Sequence, residues 1–378
     1  MDVLVIGGGV IGCSVALELA RGGADVRVLE MRAPGQGATQ ATGGMLAPWI
    51  EGHQDALLRL GIHSLALYDE YISALAAEAA QPIEYRRTGT LQVSTSAPGA
   101  AALLELATTL ASSGVAHQLL HGPAARTREP RLSPDVNQGL LVPTHGYVRI
   151  GDLMGALRLA LDARGVRVIA GQATRLEETS GGVQVTTTTE LLTADVAVVA
   201  NGSWAGLLTL QPAARGSATQ PLPVRPLPVR PIRGQILEFR FPSPPLAQVT
   251  WGEDCYLIPW RDGSVLLGAT VEDAGFDETP TEEATADLIA RGSRVLPAFA
   301  STPVQAVRVG LRPGTADEIP LIGPLAAAPR ICVATGHYRN GVLLAPITAR
   351  LVAGQLLGRH DPSLDWAARA VTPARVGL

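Results

Sequence analysis

The chain has 378 residues, 47% of them hydrophobic, with a formal net charge of −4 at pH 7 and a mean hydropathy of +0.21. That length suits about two domains with a large buried core. The slightly acidic balance gives no basic field for nucleic acid and no polybasic anchor for a membrane, so neither partner is expected. All 30 basic residues are arginine, which excludes a lysine base, a Schiff base or a lysine that activates oxygen.

Cys13, Cys255 and Cys332 lie far apart and form no zinc-type spacing, so buried, unreactive thiols and no metal are expected. No apolar run reaches the roughly eighteen residues of a membrane span. A strand starting at residue 2 leaves no room for a signal peptide, and a cytoplasmic location is expected.

The chain opens with the apolar run Val3-Leu4-Val5-Ile6, the turn Gly7-Gly8-Gly9-Val10-Ile11-Gly12 and a helical stretch over 13–22. Gly7 permits a tight turn, Gly9 lets backbone N–H groups approach a pyrophosphate, and Gly12 lets helix pack on strand. An anion would sit at the helix N-terminus, where unpaired N–H groups and the macrodipole favour it. A second strand over 25–29 ends at Glu30, eighteen residues after Gly12, where a carboxylate can accept hydrogen bonds from ribose hydroxyls. Glu30 disfavours a 2′-phosphate and hence NADP; FAD and NAD both remain open.

Residues 35–48 are almost all small and can lie flat against a planar ligand. A long helix is expected over 57–80, then strand over 84–94 broken at Thr88-Gly89, helix over 100–113, and strands over 117–120 and 139–142. Polar alternation in these strands suggests an antiparallel sheet with one solvated face. Residues 153–164 read as helix, 166–169 and 183–188 as strands, and 194–200 as a fully apolar strand ending in Asn201-Gly202-Ser203-Trp204.

Proline and small residues accumulate over 211–234, where Pro-Leu-Pro-Val-Arg occurs twice in succession, at 221–225 and 226–230, as in an extended linker. Strands follow over 235–241, 256–260 and 265–271, then a helix over 281–295 and a strand over 304–311, after which Arg312-Pro313-Gly314 is expected to turn the chain back. A strand over 331–334, the loop 335–341 and a helix over 342–357 repeat the opening pattern. The fold class expected is α/β: a Rossmann-like nucleotide domain from 1–83, 146–212 and 324–378, and an α+β substrate domain on a mostly antiparallel sheet from 84–145 and 232–323, with 213–231 as linker.

The last helix aims its positive end at the nucleotide domain, where it would stabilise negative charge on a reduced flavin; NAD needs no such element. Arg339 and His337 are read as cations in that loop. Arg312 would emerge at a strand end with a fork of donors suited to a carboxylate, and the Tyr256 hydroxyl could be a second partner.

In Ile6 to Gly12, Glu30, Gly43-Gly44-Met45-Leu46-Ala47, Cys255-Tyr256-Leu257-Ile258-Pro259, Gly268-Ala269-Thr270, and the runs 310–315 and 336–346, the chain resembles the FAD-dependent D-amino-acid oxidase superfamily. Within it the chain is similar to the glycine oxidases that feed thiazole synthesis in thiamine pathways. The resemblance implies non-covalent FAD held by Gly7, Gly9, Val10, Ile11, Gly12, Glu30, Met31, Ala38, Thr39, Gly43, Gly44 and Met45. It further implies that Ala173 lies in the strand covering the adenine and that His337, Tyr338, Arg339, Asn340, Gly341, Val342 and Leu343 contact the flavin. Arg312 would bind the substrate carboxylate, with Tyr256 and Arg339 completing the pocket. The implied reaction is hydride transfer from glycine or another small amine to flavin N5, giving imine or glyoxylate, ammonia and, with oxygen, hydrogen peroxide. A homo-oligomer, such as a tetramer, is the remaining partner expectation.

The chain departs from the resemblance in its duplicated pentapeptide, in Trp260 where relatives often carry arginine, and in Glu318 at a common turn glycine. The absence of lysine sets it apart from the sarcosine-oxidase branch. Two other functions compete: a D-amino-acid dehydrogenase that passes electrons to a quinone, and a flavin-binding protein without turnover.

Overall fold

A computed structural model describes residues 1–50, 55–213 and 226–378. The fold is α/β and is built on two large sheets. The first has six strands in the order Leu321–Pro324, Ile331–Thr335, Val196–Val199, Asp2–Ile6, Asp25–Glu30 and Arg167–Ala170. All neighbours are parallel except the antiparallel pair at the Leu321–Pro324 edge.

Side chains alternate across a strand, so the opening run feeds two cores at once. Val3 and Val5 face a layer of helices, Val10–Arg21, Asp55–Ala79, Ile150–Ala163 and Gly341–Leu356, while Leu4 and Ile6 face a small four-stranded sheet. Burial on both faces is why this strand reads as a continuous apolar run. The small sheet is formed by Leu191–Ala194, Gly182–Thr187, Ala173–Thr179 and Thr209–Gln211.

The second large sheet has eight strands, in the order Val304–Gly314, Arg230–Arg240, Ser264–Gly268, Tyr256–Pro259, Val249–Trp251, Thr90–Ser94, Gln138–Val142 and Gln118–His121. Every pair is antiparallel except Val249–Trp251 against Thr90–Ser94. Leu237, Phe239, Leu257, Val265 and Leu267 pack on one face with Leu288 and Val295 of the helix Glu282–Val295. Ile236, Ile258, Trp260 and Leu266 pack on the other, facing the nucleotide half.

Three boundaries differ from the sequence expectation. The strand Leu321–Pro324 belongs to the six-stranded sheet, so the division at 323/324 cuts through it. The strand Arg230–Arg240 takes in the last two residues expected of the linker; the first copy of the duplicated pentapeptide, 221–225, lies outside the described residues. Arg312-Pro313-Gly314 does not turn: the strand runs on to Gly314. Val304–Gly314 is an edge strand, where a proline without an N–H is tolerated. Glu318, expected to stand at a common turn glycine, has φ +58° and so takes the left-handed conformation itself.

Candidate active site

Asp2–Ile6 and Ile331–Thr335 run parallel on either side of Val196–Val199, so the loops leaving them emerge at one edge of the sheet. Each loop leads into a helix, Val10–Arg21 or Gly341–Leu356, that starts at this crevice. The crevice opens into a cavity of about 530 Å3, a size typical of small-molecule sites.

Of the motif glycines, two are required by the fold itself. Gly7 has φ +110°, and a Cβ there would lie 2.5 Å from the Ala200 carbonyl oxygen; a Cβ at Gly12 would lie 1.8 Å from the Gly7 oxygen. Gly9 is different, since its nearest neighbour would be Thr39 Oγ1 at 3.2 Å and the residue lines the cavity. Gly9 is also the N-cap of a helix that has no side-chain cap and no acidic residue in its first turn, although Thr39 Oγ1 accepts from Val10 N at 3.1 Å. The helix therefore keeps its positive end available to an anion. Glu30 accepts from Gly8 N at 2.5 Å and Arg32 N at 2.8 Å, which pins its carboxylate at the cavity wall. Glycine cradle, open helix end and fixed acid together fit the pyrophosphate and ribose of a dinucleotide.

The closing helix is shaped by Pro346. Proline has no N–H to bond the Val342 carbonyl four residues back, and the Tyr68 hydroxyl donates to that oxygen instead. Ser64 Oγ donates to the next carbonyl, Leu343, at 2.6 Å. The long helix Asp55–Ala79 thus secures the first turn of Gly341–Leu356, and Gly341, Val342 and Leu343 line the cavity.

Arg312 and Tyr256 reach the same cavity from the eight-stranded sheet. Two glycines make room for them. A Cβ at Gly234 would lie 2.2 Å from both Nη1 and Nη2 of Arg312, and one at Gly268 would lie 2.5 Å from the Tyr256 hydroxyl. The guanidinium lies over Arg230–Arg240 and the phenol over Ser264–Gly268; these strands are neighbours, so the two polar groups converge. Arg312 Nη1 donates to Thr270 O at 3.0 Å and Arg233 O at 3.3 Å, while Nη2 and Nε make no hydrogen bond among the described residues.

Gly7, Gly9, Val10, Ile11, Glu30, Met31, Ala38, Thr39, Gly43, Met45, Ala173, Tyr256, Arg312 and the whole run His337 to Leu343 line the cavity. Gly12 and Gly44 do not. Gly12 is set back by its contact with Gly7, and Gly44 has φ +69° with the Val148 carbonyl 1.9 Å from where a Cβ would stand, so both glycines serve close backbone packing. His337 is not the cation expected of it. It is buried, its Nε2 is 2.9 Å from Thr348 Oγ1, and burial lowers its pKa from 6.5 to about 3, so it is neutral.

Sequence reasoning missed Gly234, Trp251 and Glu253, and named Gly268 and Asn201 only within motifs, without a role in the lining. A glycine inside a strand signals close approach, and Gly234 carried that signal. Glu253 lines the cavity but is held by Ser94, Thr95 and Ser96. Burial would raise its pKa, yet these hydrogen bonds together hold it below the usual carboxylate range. All three thiols, Cys255 of the cavity wall included, are pushed up to about 12, chiefly by burial. No group of acids, cysteines and histidines able to hold a metal occurs among the described residues, and no described helix is long and apolar enough to cross a membrane.

A crevice of this construction fits a dinucleotide-dependent enzyme, and the chain belongs to the FAD-dependent oxidoreductases: residues 2–355 match the family described as DAO, FAD dependent oxidoreductase. Within the family it is of the glycine oxidase type. It is 30% identical to the glycine oxidase of Geobacillus kaustophilus, over 98% of this chain and 96% of that protein. The crystal structure of glycine oxidase from the same species superposes with a TM-score of 0.89 at 29% identity, covering 98% of both chains. It is also 33% identical to the bifunctional protein ThiO/ThiG of Nostoc sp., over 96% of this chain but 54% of that protein. The chain thus spans about half the length of such bifunctional relatives.

Proposed function

We propose that this enzyme oxidises glycine, and with it other small amines or D-amino acids, to the imine, which yields glyoxylate and ammonia, with oxygen as the final acceptor and hydrogen peroxide as the second product. The ThiO/ThiG and glycine oxidase names of its relatives support a role in supplying the imine to thiazole synthesis in thiamine formation. The observation that carries the reading is the convergence of Arg312 and Tyr256 on a cavity that is also lined by Gly9, Glu30 and the starts of two helices.

In this reading Gly9, Val10, Glu30, Met31, Thr39 and Ala173 hold the nucleotide part of FAD, and Gly43, Met45 and the run 337–343 hold the ring. FAD, when bound there, would supply the two-electron acceptor that oxygen restores, and the buried, protonated thiols offer it no thioether link. Arg312 grips the substrate carboxylate with its free Nη2–Nε edge, Tyr256 and Arg339 complete the pocket, and the grip directs the α-carbon inward. The Gly341–Leu356 N-terminus places positive potential where negative charge develops. Glu253 is tied up by donors and His337 is buried, so the amine arrives already neutral and positioning carries the step.

Oxygen consumption and peroxide release on adding glycine to the FAD-loaded enzyme in air are the expected result. Dye reduction without peroxide would favour the quinone-linked dehydrogenase, and no flavin reduction with glycine, sarcosine or D-alanine would favour a non-catalytic flavoprotein.

A further inference from the structure

Behind Arg312, on the face of the sheet turned away from the cavity, lies a charged cluster that touches neither cofactor nor substrate space. The Arg233 side chain is 9% exposed and donates to Glu272 Oε2 from Nε at 3.0 Å and from Nη2 at 2.6 Å, to Asp277 at 2.9 Å and to Thr279 O at 3.3 Å. The other Glu272 oxygen accepts from Gln235 Nε2 at 2.8 Å and Thr270 Oγ1 at 2.5 Å. Thr270 Oγ1 in turn accepts from Gln235 N at 2.9 Å. Such a network holds its geometry best when every donor and acceptor is satisfied, because the bonds support one another. Here every member of the core has its partners.

The cluster clamps the segment 270–272 to 233–235. Backbone bonds join them as well: Arg233 N to Glu272 O at 2.9 Å, Glu272 N to Arg233 O at 3.0 Å, and Thr270 N to Gln235 O at 3.2 Å. The two carbonyls that this clamp presents to the cavity side, Arg233 O and Thr270 O, are the two acceptors of Arg312 Nη1. With Nη1 anchored on both, the guanidinium plane is fixed and its Nη2–Nε edge is left for a carboxylate in the cavity that Arg312 lines. An arginine has several rotatable bonds, and loss of either anchor would let the fork swing.

We propose that Arg233 and Glu272 are positioning residues for substrate binding: their ion pair on the reverse face of the sheet fixes the two backbone carbonyls that aim Arg312 at the substrate carboxylate. This rests on the reading of Arg312 as the carboxylate grip. The cluster therefore governs KM and not the chemical step, and it acts only through Arg312.

The test is a double-mutant cycle on the FAD-loaded enzyme, reading KM and kcat for glycine and the Kd of acetate from the change in flavin absorbance. Glu272→Gln is expected to raise both KM and the acetate Kd about tenfold, with kcat within twofold and FAD occupancy unchanged. In an Arg312→Ala background the same substitution is expected to change neither constant. If Glu272→Gln yields no FAD-loaded protein, Arg233→Lys, which keeps the charge but loses the two-pronged grip, takes its place with the same expectation. An unchanged KM in the single variant, or an equal rise in both backgrounds, would overturn the positioning role while leaving Arg312 as the grip. If Arg312→Ala itself leaves glycine KM unchanged, the grip and the positioning role fall together.

Discussion

Gly234→Ala puts one methyl group where the Arg312 guanidinium lies. The added Cβ would stand 2.2 Å from Nη1 and Nη2 and 2.3 Å from Cζ. Carbon and nitrogen need about 3.5 Å, so the guanidinium must retreat by roughly 1.3 Å. That retreat breaks its bonds to Thr270 O and Arg233 O, which are 3.0 and 3.3 Å long. A misplacement near 1 Å at a positioning group costs about 100-fold. The backbone does not resist the change, because Gly234 is not in the left-handed region and alanine in a strand lowers the entropy of the unfolded chain. The expected phenotype is a glycine KM about 100-fold higher, with FAD affinity and thermal midpoint close to those of the parent. Steady-state peroxide formation gives the first quantity, and flavin fluorescence during FAD titration gives the second. A glycine KM within threefold of the parent would refute the placement of Arg312 as the substrate grip.

Arg312→Ala removes the grip outright; truncating one partner of a charged, hydrogen-bonded pair costs about 2–5 kcal/mol, so glycine KM should rise at least 30-fold with flavin still bound, and unchanged turnover at low glycine would contradict it. Tyr68→Phe leaves the Val342 carbonyl without its donor beside Pro346 and should lower stability by about 1–3 kcal/mol in urea unfolding; an unmoved midpoint would show that the carbonyl finds another partner. Glu30→Ala should weaken FAD binding roughly tenfold or more, and an unchanged Kd would remove the carboxylate from the ribose. His145 and His337 are both lowered from 6.5 to about 3, by burial first and for His145 also by Arg87. Their folded pKa lies below the unfolded one, so the unfolded chain takes up protons first: the stability they contribute is complete above pH 6.5 and falls as pH drops toward 3. Urea midpoints measured from pH 7 to pH 4 should fall accordingly, and His145→Leu should flatten the slope; a variant as acid-sensitive as the parent would rule that histidine out.

The nucleotide half was legible because its signals are local. The apolar run Val3 to Ile6, the turn glycines and Glu30 sit within thirty residues and each follows from backbone geometry. The closing loop and helix repeat that pattern, and the alternating strands of the second sheet announced their antiparallel character. What stayed hidden depends on partners distant in sequence. Arg312 looked like the start of a turn, since Pro313-Gly314 is a turn pair, and only its edge position lets the strand continue. His337 looked like a cation because burial cannot be read from a loop composition. The packing role of Gly12 was legible from the motif, whereas the Val148 carbonyl that crowds Gly44 is distant in sequence and left no local mark. The Arg233–Glu272 cluster joins residues 39 positions apart across an irregular bridge that no periodicity marks.

The central claim is that one cavity holds FAD at a glycine cradle and delivers glycine to it through Arg312. The most direct measurement is the visible absorbance of the FAD-loaded protein before and after glycine is added without oxygen. Loss of the oxidised flavin band, and its return with stoichiometric peroxide when air is admitted, is the predicted result. A protein that cannot be loaded with FAD, or one whose flavin stays oxidised under glycine, would contradict the account.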